Sequence, residues 1–139
     1  MWFWYALFSA IFAALVAVFG KLGLKGVDTT LATTVRAVIM AGILLVTSFS
    51  LKKFVGFSIA SFTGRDWLFI ILSAAAGALS WIFYFSALKE GKASSVASID
   101  RLSIVFVIVF AALFLGESLG VKALIGTCLI VAGAILVVL

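Results

Sequence analysis

The chain has 139 residues, 66% of them hydrophobic and 11% charged, and a net charge of +5, with a mean hydropathy of +1.41. A soluble domain carries about 25% charged residues, so a water-soluble globule is excluded; the cations, set in short runs between apolar stretches, are loop chemistry rather than a nucleic-acid patch. With no His and one Cys, the chain lacks the material for a His or Cys-rich metal site, an internal disulfide or a Ser-His-Asp triad, which removes most enzyme classes and implies no cofactor.

A bilayer core of about 30 Å needs about 20 helical residues per crossing, and five charge-poor stretches meet that length. The first, Trp2–Gly20, opens on Trp2, Trp4 and Tyr5 and closes at Lys21 and Lys25, residues suited to anchoring at the interface. Nothing basic precedes it and its apolar run is long for a signal core, so it reads as a membrane helix. The second, Thr29–Leu51, starts behind Asp28 as N-cap, contains Arg36 and stops at Lys52 and Lys53. The stretch Phe54–Gly64 is uncharged and reads either as a plain loop or as a strip lying flat at the interface. The third span, Trp67–Leu88, starts behind Asp66 and ends at Lys89, Glu90 and Lys92. The fourth, Ala93–Leu115, carries Asp100 and Arg101, and the fifth, Ser118–Leu139, has only Lys122 as a charge. These spans define an all-α integral membrane protein in which about 100 residues are embedded, and the connections are too short for an extramembrane domain.

Small residues mark where helices approach. Ser73, Ala74, Gly77, Ala78 and Ser80 recur at helical spacing in the third span, and Gly126 and Gly133, seven apart, share a face of the fifth. That face is expected to be a helix contact between copies. Cys128 is expected to be a small buried apolar residue. Proline is absent, so any helix break must come from Gly, Ser or Thr.

Three charges lie inside spans, where each costs about 2.5–3.5 kcal/mol even on a lenient insertion scale. Arg36 and Asp100 each lie some seven residues into their spans, about 10 Å deep, and the two spans start from the same side. The two are therefore expected to pair, an ion pair that exchanging Arg36 and Asp100 for one another would test. Arg101 points about 100° away from Asp100 and either snorkels to the headgroups or lines a cavity with them. In the cavity reading, Asp100 takes up a proton or a cationic group, Arg36 and Arg101 hold anions, and Trp81, Tyr84, Ser80, Ser94 and Ser98 supply stacking and hydrogen bonds.

Basic loop residues are evenly divided, Lys52, Lys53, Arg65 and Lys122 on the amino-terminal side and Lys21, Lys25, Lys89 and Lys92 on the other. The positive-inside rule needs an excess to choose an orientation, so this chain is expected to insert both ways.

The stretch Tyr84-Phe85-Ser86-Ala87-Leu88-Lys89-Glu90-Gly91-Lys92-Ala93-Ser94, followed by Phe114-Leu115-Gly116-Glu117, resembles the EamA-type repeat of the drug/metabolite transporter superfamily. The resemblance covers nearly the whole chain, because that repeat is five helices long and the Gly126–Gly133 helix resembles its closing span. Typical members carry two such repeats in ten helices, and they commonly have a Pro where this chain has Ser103-Ile104. The resemblance implies one repeat of an inverted-repeat transporter, since duplicating an odd number of helices turns the second copy upside down. It further implies a central cavity lined by the first four helices, opening alternately to each side, with the fifth helix contacting other subunits.

Together these readings predict a half-size transporter in a prokaryotic cytoplasmic membrane that moves a small metabolite, outward, as an antiparallel homodimer or with a half-size partner. Asp100 is the candidate proton carrier, and the substrate contacts are Arg36, Ser80, Trp81, Tyr84, Asp100 and Arg101. Rival readings are a lipid-linked sugar flippase and a non-transporting subunit of a larger membrane complex.

Overall fold

The computed structural model describes residues 1–58, 61–118 and 120–139, all in helices, turns and short connections with no strand among the described residues. Five helices there are long and apolar enough to cross a membrane: Trp2–Gly23, Thr29–Ser50, Gly64–Glu90, Ala93–Leu115 and Val121–Val138. The chain divides into two compact units, Gly23–Lys89 and Met1–Leu22 with Glu90–Leu139.

The Gly23–Lys89 unit is a helical hairpin. The first of its helices, α2 (Thr29–Ser50), which follows α1 (Trp2–Gly23), begins where expected. Asp28 is extended (φ −64°, ψ 131°) and its carboxylate accepts from the Leu31 N–H at 2.9 Å, satisfying one of the orphan donors of the first turn. The second, α3 (Gly64–Glu90), is capped differently from the expectation. Asp66 is not the residue before the helix. The Thr63 hydroxyl accepts from the Asp66 N–H at 3.3 Å, while the Asp66 carboxylate accepts from the Thr63 N–H and hydroxyl at 2.9 and 2.7 Å. This reciprocal box lets the helix start at Gly64 rather than Trp67, because Thr63 is the cap and Asp66 lies in the first turn.

Contacts between α2 and α3 run in opposite sense along the two helices. Lys89 Nζ donates to the Val27 carbonyl at 3.2 Å, the Thr29 and Ser86 hydroxyls lie 3.4 Å apart, and Arg36 reaches the rings of Trp81 and Phe85. The buried side chains of the unit, Leu24, Thr33, Phe85 and Leu88, sit at this same end. Hydroxyls along the helices are satisfied internally: Thr33, Thr34, Thr47, Ser50 and Ser86 each donate to the carbonyl four residues earlier. An apolar solvent offers no other acceptor.

The connection between α2 and α3 carries a relay of aromatic contacts, Phe49–Phe54–Phe57–Phe62–Trp67, with centroids 4.7–5.9 Å apart. Of the stretch Phe54–Gly64, expected as loop or interfacial strip, residues 59 and 60 lie outside the described residues.

In the other unit, Lys21 near the end of α1 donates from Nζ to the Gly91 carbonyl at 2.8 Å, so a residue expected to be an interfacial anchor also holds the turn before α4 (Ala93–Asp100). Next come α5 (Ser103–Phe110), a π turn (Ala111–Leu115) and α6 (Val121–Val138). Residue 119, within the expected fifth span, lies outside the described residues. Helix α4 packs against α6, with Ala134 buried. Cys128, expected to be buried, is exposed, because it lies about 120° around α6 from Ala134.

The fourth span is interrupted twice without proline. At Arg101–Leu102 the N–H groups of Leu102, Ile104 and Val105 donate to the carbonyls three residues earlier, of Ile99, Arg101 and Leu102. This is a tightened turn between α4 and α5. At the far end Gly116 adopts the left-handed conformation (φ 68°, ψ 21°), and both its N–H and that of Glu117 donate to Ala111. A side chain there would meet no atom within 4 Å, so Gly116→Ala isolates the backbone cost. It is expected to lower stability in detergent by about 1 kcal/mol, whereas Gly120→Ala, at φ −71° in equally open space, stays near wild type. Equal unfolding midpoints for the two variants would contradict this account of the helix end.

Candidate functional site

Arg36 lies on the second turn of α2. Its Cζ is 4.5 Å from the centroid of Trp81 and 4.6 Å from that of Phe85, side chains four apart on α3 and hence on one face. Phe85 is 3% exposed, and Tyr84 meets its edge at 5.7 Å with the rings nearly perpendicular. The aromatic cradle accounts for a cation in a membrane span. A guanidinium over an aromatic face gains about 0.5–1 kcal/mol when exposed and about 2 when desolvated. Two such faces therefore offset most of the insertion cost of about 2.5–3.5 kcal/mol, without an ion pair. What the rings do not provide is a hydrogen-bond acceptor for every donor, and Arg36 Nη1 is buried with no partner among the described residues.

Of the sequence-predicted residues, the hairpin unit brings together Arg36, Trp81 and Tyr84, while Ser80, one position before Trp81, is exposed. Phe85 was missed as a member of the cluster. The signal that would have found it is its four-residue spacing from Trp81, which places two rings side by side facing α2.

Asp100 and Arg101 belong to the other unit, at the end of α4 and the start of the tightened turn, and both are exposed. Arg101 lines a groove of about 470 Å³ with Ser103, Ile104, Val107 and Ile130, a cation in an otherwise largely apolar wall. The expected contact residues Gly126 and Gly133 are open: a methyl group on either would meet no atom of the described residues within 4 Å.

Five membrane-length helices, with an arginine cradled by aromatic rings in one of them and two exposed charges in another, define a multi-pass membrane protein whose embedded polar groups are its functional candidates. The chain belongs to the EamA-like transporter family, which it matches over residues 1–139. It is similar to an uncharacterized transporter encoded in the cobO 3' region of a Sinorhizobium species, 43% identical over 139 residues, covering 97% of this chain and 94% of that protein. No solved structure matches it.

The cradle makes a prediction of its own. Trp81→Ala removes one ring and exposes the guanidinium, so modification of Arg36 by phenylglyoxal, followed by mass spectrometry of its peptide, is expected to accelerate about threefold relative to Arg65, the factor for a loss of about 0.7 kcal/mol. An unchanged rate ratio would mean that the ring does not hold the arginine.

Proposed function

We propose that this EamA-family transporter works as an antiparallel dimer in a prokaryotic cytoplasmic membrane, exporting a small metabolite by alternating access. Arg36, Trp81 and Tyr84 contact substrate, with Ser80 and Arg101 as further polar contacts, and Asp100 is the proton-coupling residue.

The observation that carries this reading is the exposure of Asp100 and Arg101 within a membrane-length helix. Adjacent charges facing hydrocarbon are unfavourable by several kcal/mol, and a cavity or a second protein surface must cover them. The open glycine face of α6 offers a place for another helix to approach closely. Five spans put the two termini on opposite sides of the bilayer, so a second copy completes an inverted repeat only when inserted the other way. The even division of basic loop residues suits such insertion, and the Sinorhizobium relative, nearly all of whose length is covered by this chain, is a transporter of similar size.

Insertion is checked with single cysteines placed in the loop between Lys52 and Arg65 and at the carboxy terminus, in a Cys128→Ser background, probed with an impermeant thiol reagent from outside intact cells. Labelling of part of the population at both positions is expected. Labelling at one position alone would establish a single orientation and rule out the antiparallel homodimer.

A further inference from the structure

Among the described residues, the hairpin unit contains a cation, Arg36, with no counter-ion beside it. Its two carboxylates, Asp28 and Asp66, are engaged in the caps of α2 and α3. Arg36 is held over the rings of Trp81 and Phe85, which offer π faces and no lone-pair acceptor. Its Nη1 is buried and unpartnered, a state that membrane proteins avoid because no water is present to complete it.

A guanidinium is planar, always charged and presents its donors along its edges. With ring faces beneath it, those edges remain for a ligand. A neutral acceptor would satisfy the hydrogen bond and leave the charge uncompensated; an ammonium group would be repelled. A planar or tetrahedral oxyanion satisfies both requirements with charge-assisted bonds. The neighbouring side chains extend the same site. Tyr84, half-buried, adds aromatic surface with its ring 5.7 Å from that of Phe85, and the Thr29–Ser86 hydroxyl pair lies on the same two helices, Ser86 next to Phe85.

We propose that the Arg36–Trp81–Phe85 cluster is an oxyanion site, taking the carboxylate or phosphate of a small solute, or the phosphate of a lipid headgroup, against Arg36. This rests on the transport reading only in making that anion the substrate; the site stands or falls by binding alone.

The test is calorimetric titration of the purified full-length chain in maltoside detergent with benzoate, benzylamine and benzyl alcohol, three probes that differ in the charge of one group, and with dihexanoyl phosphatidic acid as a soluble lipid phosphate. Benzoate or the phosphatidic acid is expected to bind at least about tenfold more tightly than benzyl alcohol, with no binding of benzylamine. Binding of benzoate assigns the site to free solutes, and binding of the phosphatidic acid alone assigns it to lipid; both sustain the oxyanion site. Arg36→Gln is expected to weaken binding about tenfold or more, and Arg65→Gln, which removes the same charge outside the cluster, to leave it within about twofold. Should Arg36→Gln fail to fold, Arg36→Lys keeps the charge but loses the fork, and a clear weakening is expected there too.

Preference for benzylamine, equal binding of all three benzyl probes, or absence of any anion binding would overturn the proposal. Proteoliposomes loaded with the bound anion separate the two claims. Arg36-dependent binding without efflux would refute transport and leave the site intact, whereas efflux of that anion that survives Arg36→Gln unchanged would sustain transport and refute the site.

Discussion

An arginine inside hydrocarbon has to be solvated by the protein, and the arrangement of the hairpin unit follows from how that is done. Arg36 on α2 is met by Trp81 and Phe85 on α3, and the buried side chains of the unit gather at the same end of the two helices. Elsewhere the hairpin exposes its apolar residues, Val46 and Phe49 among them, which costs little when the solvent is lipid, since burial against another helix exchanges one apolar neighbour for another. Packing in the hairpin is therefore concentrated where polar groups need company. The hydroxyl–carbonyl bonds along α2 and α3 follow the same rule, and so do Lys21 and Lys89, which reach carbonyls of the adjoining turns.

The other unit handles its polarity differently. Asp100 and Arg101 stand at a break in the fourth span, where three-residue hydrogen bonds replace the α pattern, and neither is buried by the chain itself. A second irregularity, the π turn closed by Gly116, follows two turns later. Irregular backbone at membrane depth is tolerated where protein or a water-filled cavity receives it, and the groove beside Arg101 lies along this stretch. The hairpin unit thus shelters its cation against ring faces and leaves one donor open, and the other unit leaves its charges exposed. The antiparallel pair proposed above gives those open groups a surface to meet.

Much of this was legible in the sequence because the bilayer is a demanding solvent. Span length and charge placement alone define five helices, since any run of about 20 apolar residues has few other options, and Asp28 announces the start of α2 through cap chemistry. The motif running from Tyr84 to Ser94 marks the family in sequence alone. What escaped was local. Thr63 outranks Asp66 as the cap of α3 because a hydroxyl three residues before a carboxylate closes a reciprocal box, which the positions of charges alone do not reveal. The break at Arg101–Leu102 has no proline to announce it. The two rings four residues apart that face Arg36 show only once α2 and α3 are placed side by side.

The central claim, a transporter assembled from two oppositely inserted copies, is tested most directly by forcing the orientation. Two copies joined end to end by a short flexible linker insert antiparallel, because five spans carry the chain across the membrane once; placing one additional membrane helix between them makes the copies parallel. Efflux from proteoliposomes is expected for the direct fusion and absent for the fusion with the added helix, each reconstituted in excess lipid to prevent pairing between fusions. Efflux from the parallel fusion, with none from the direct one, would contradict the account.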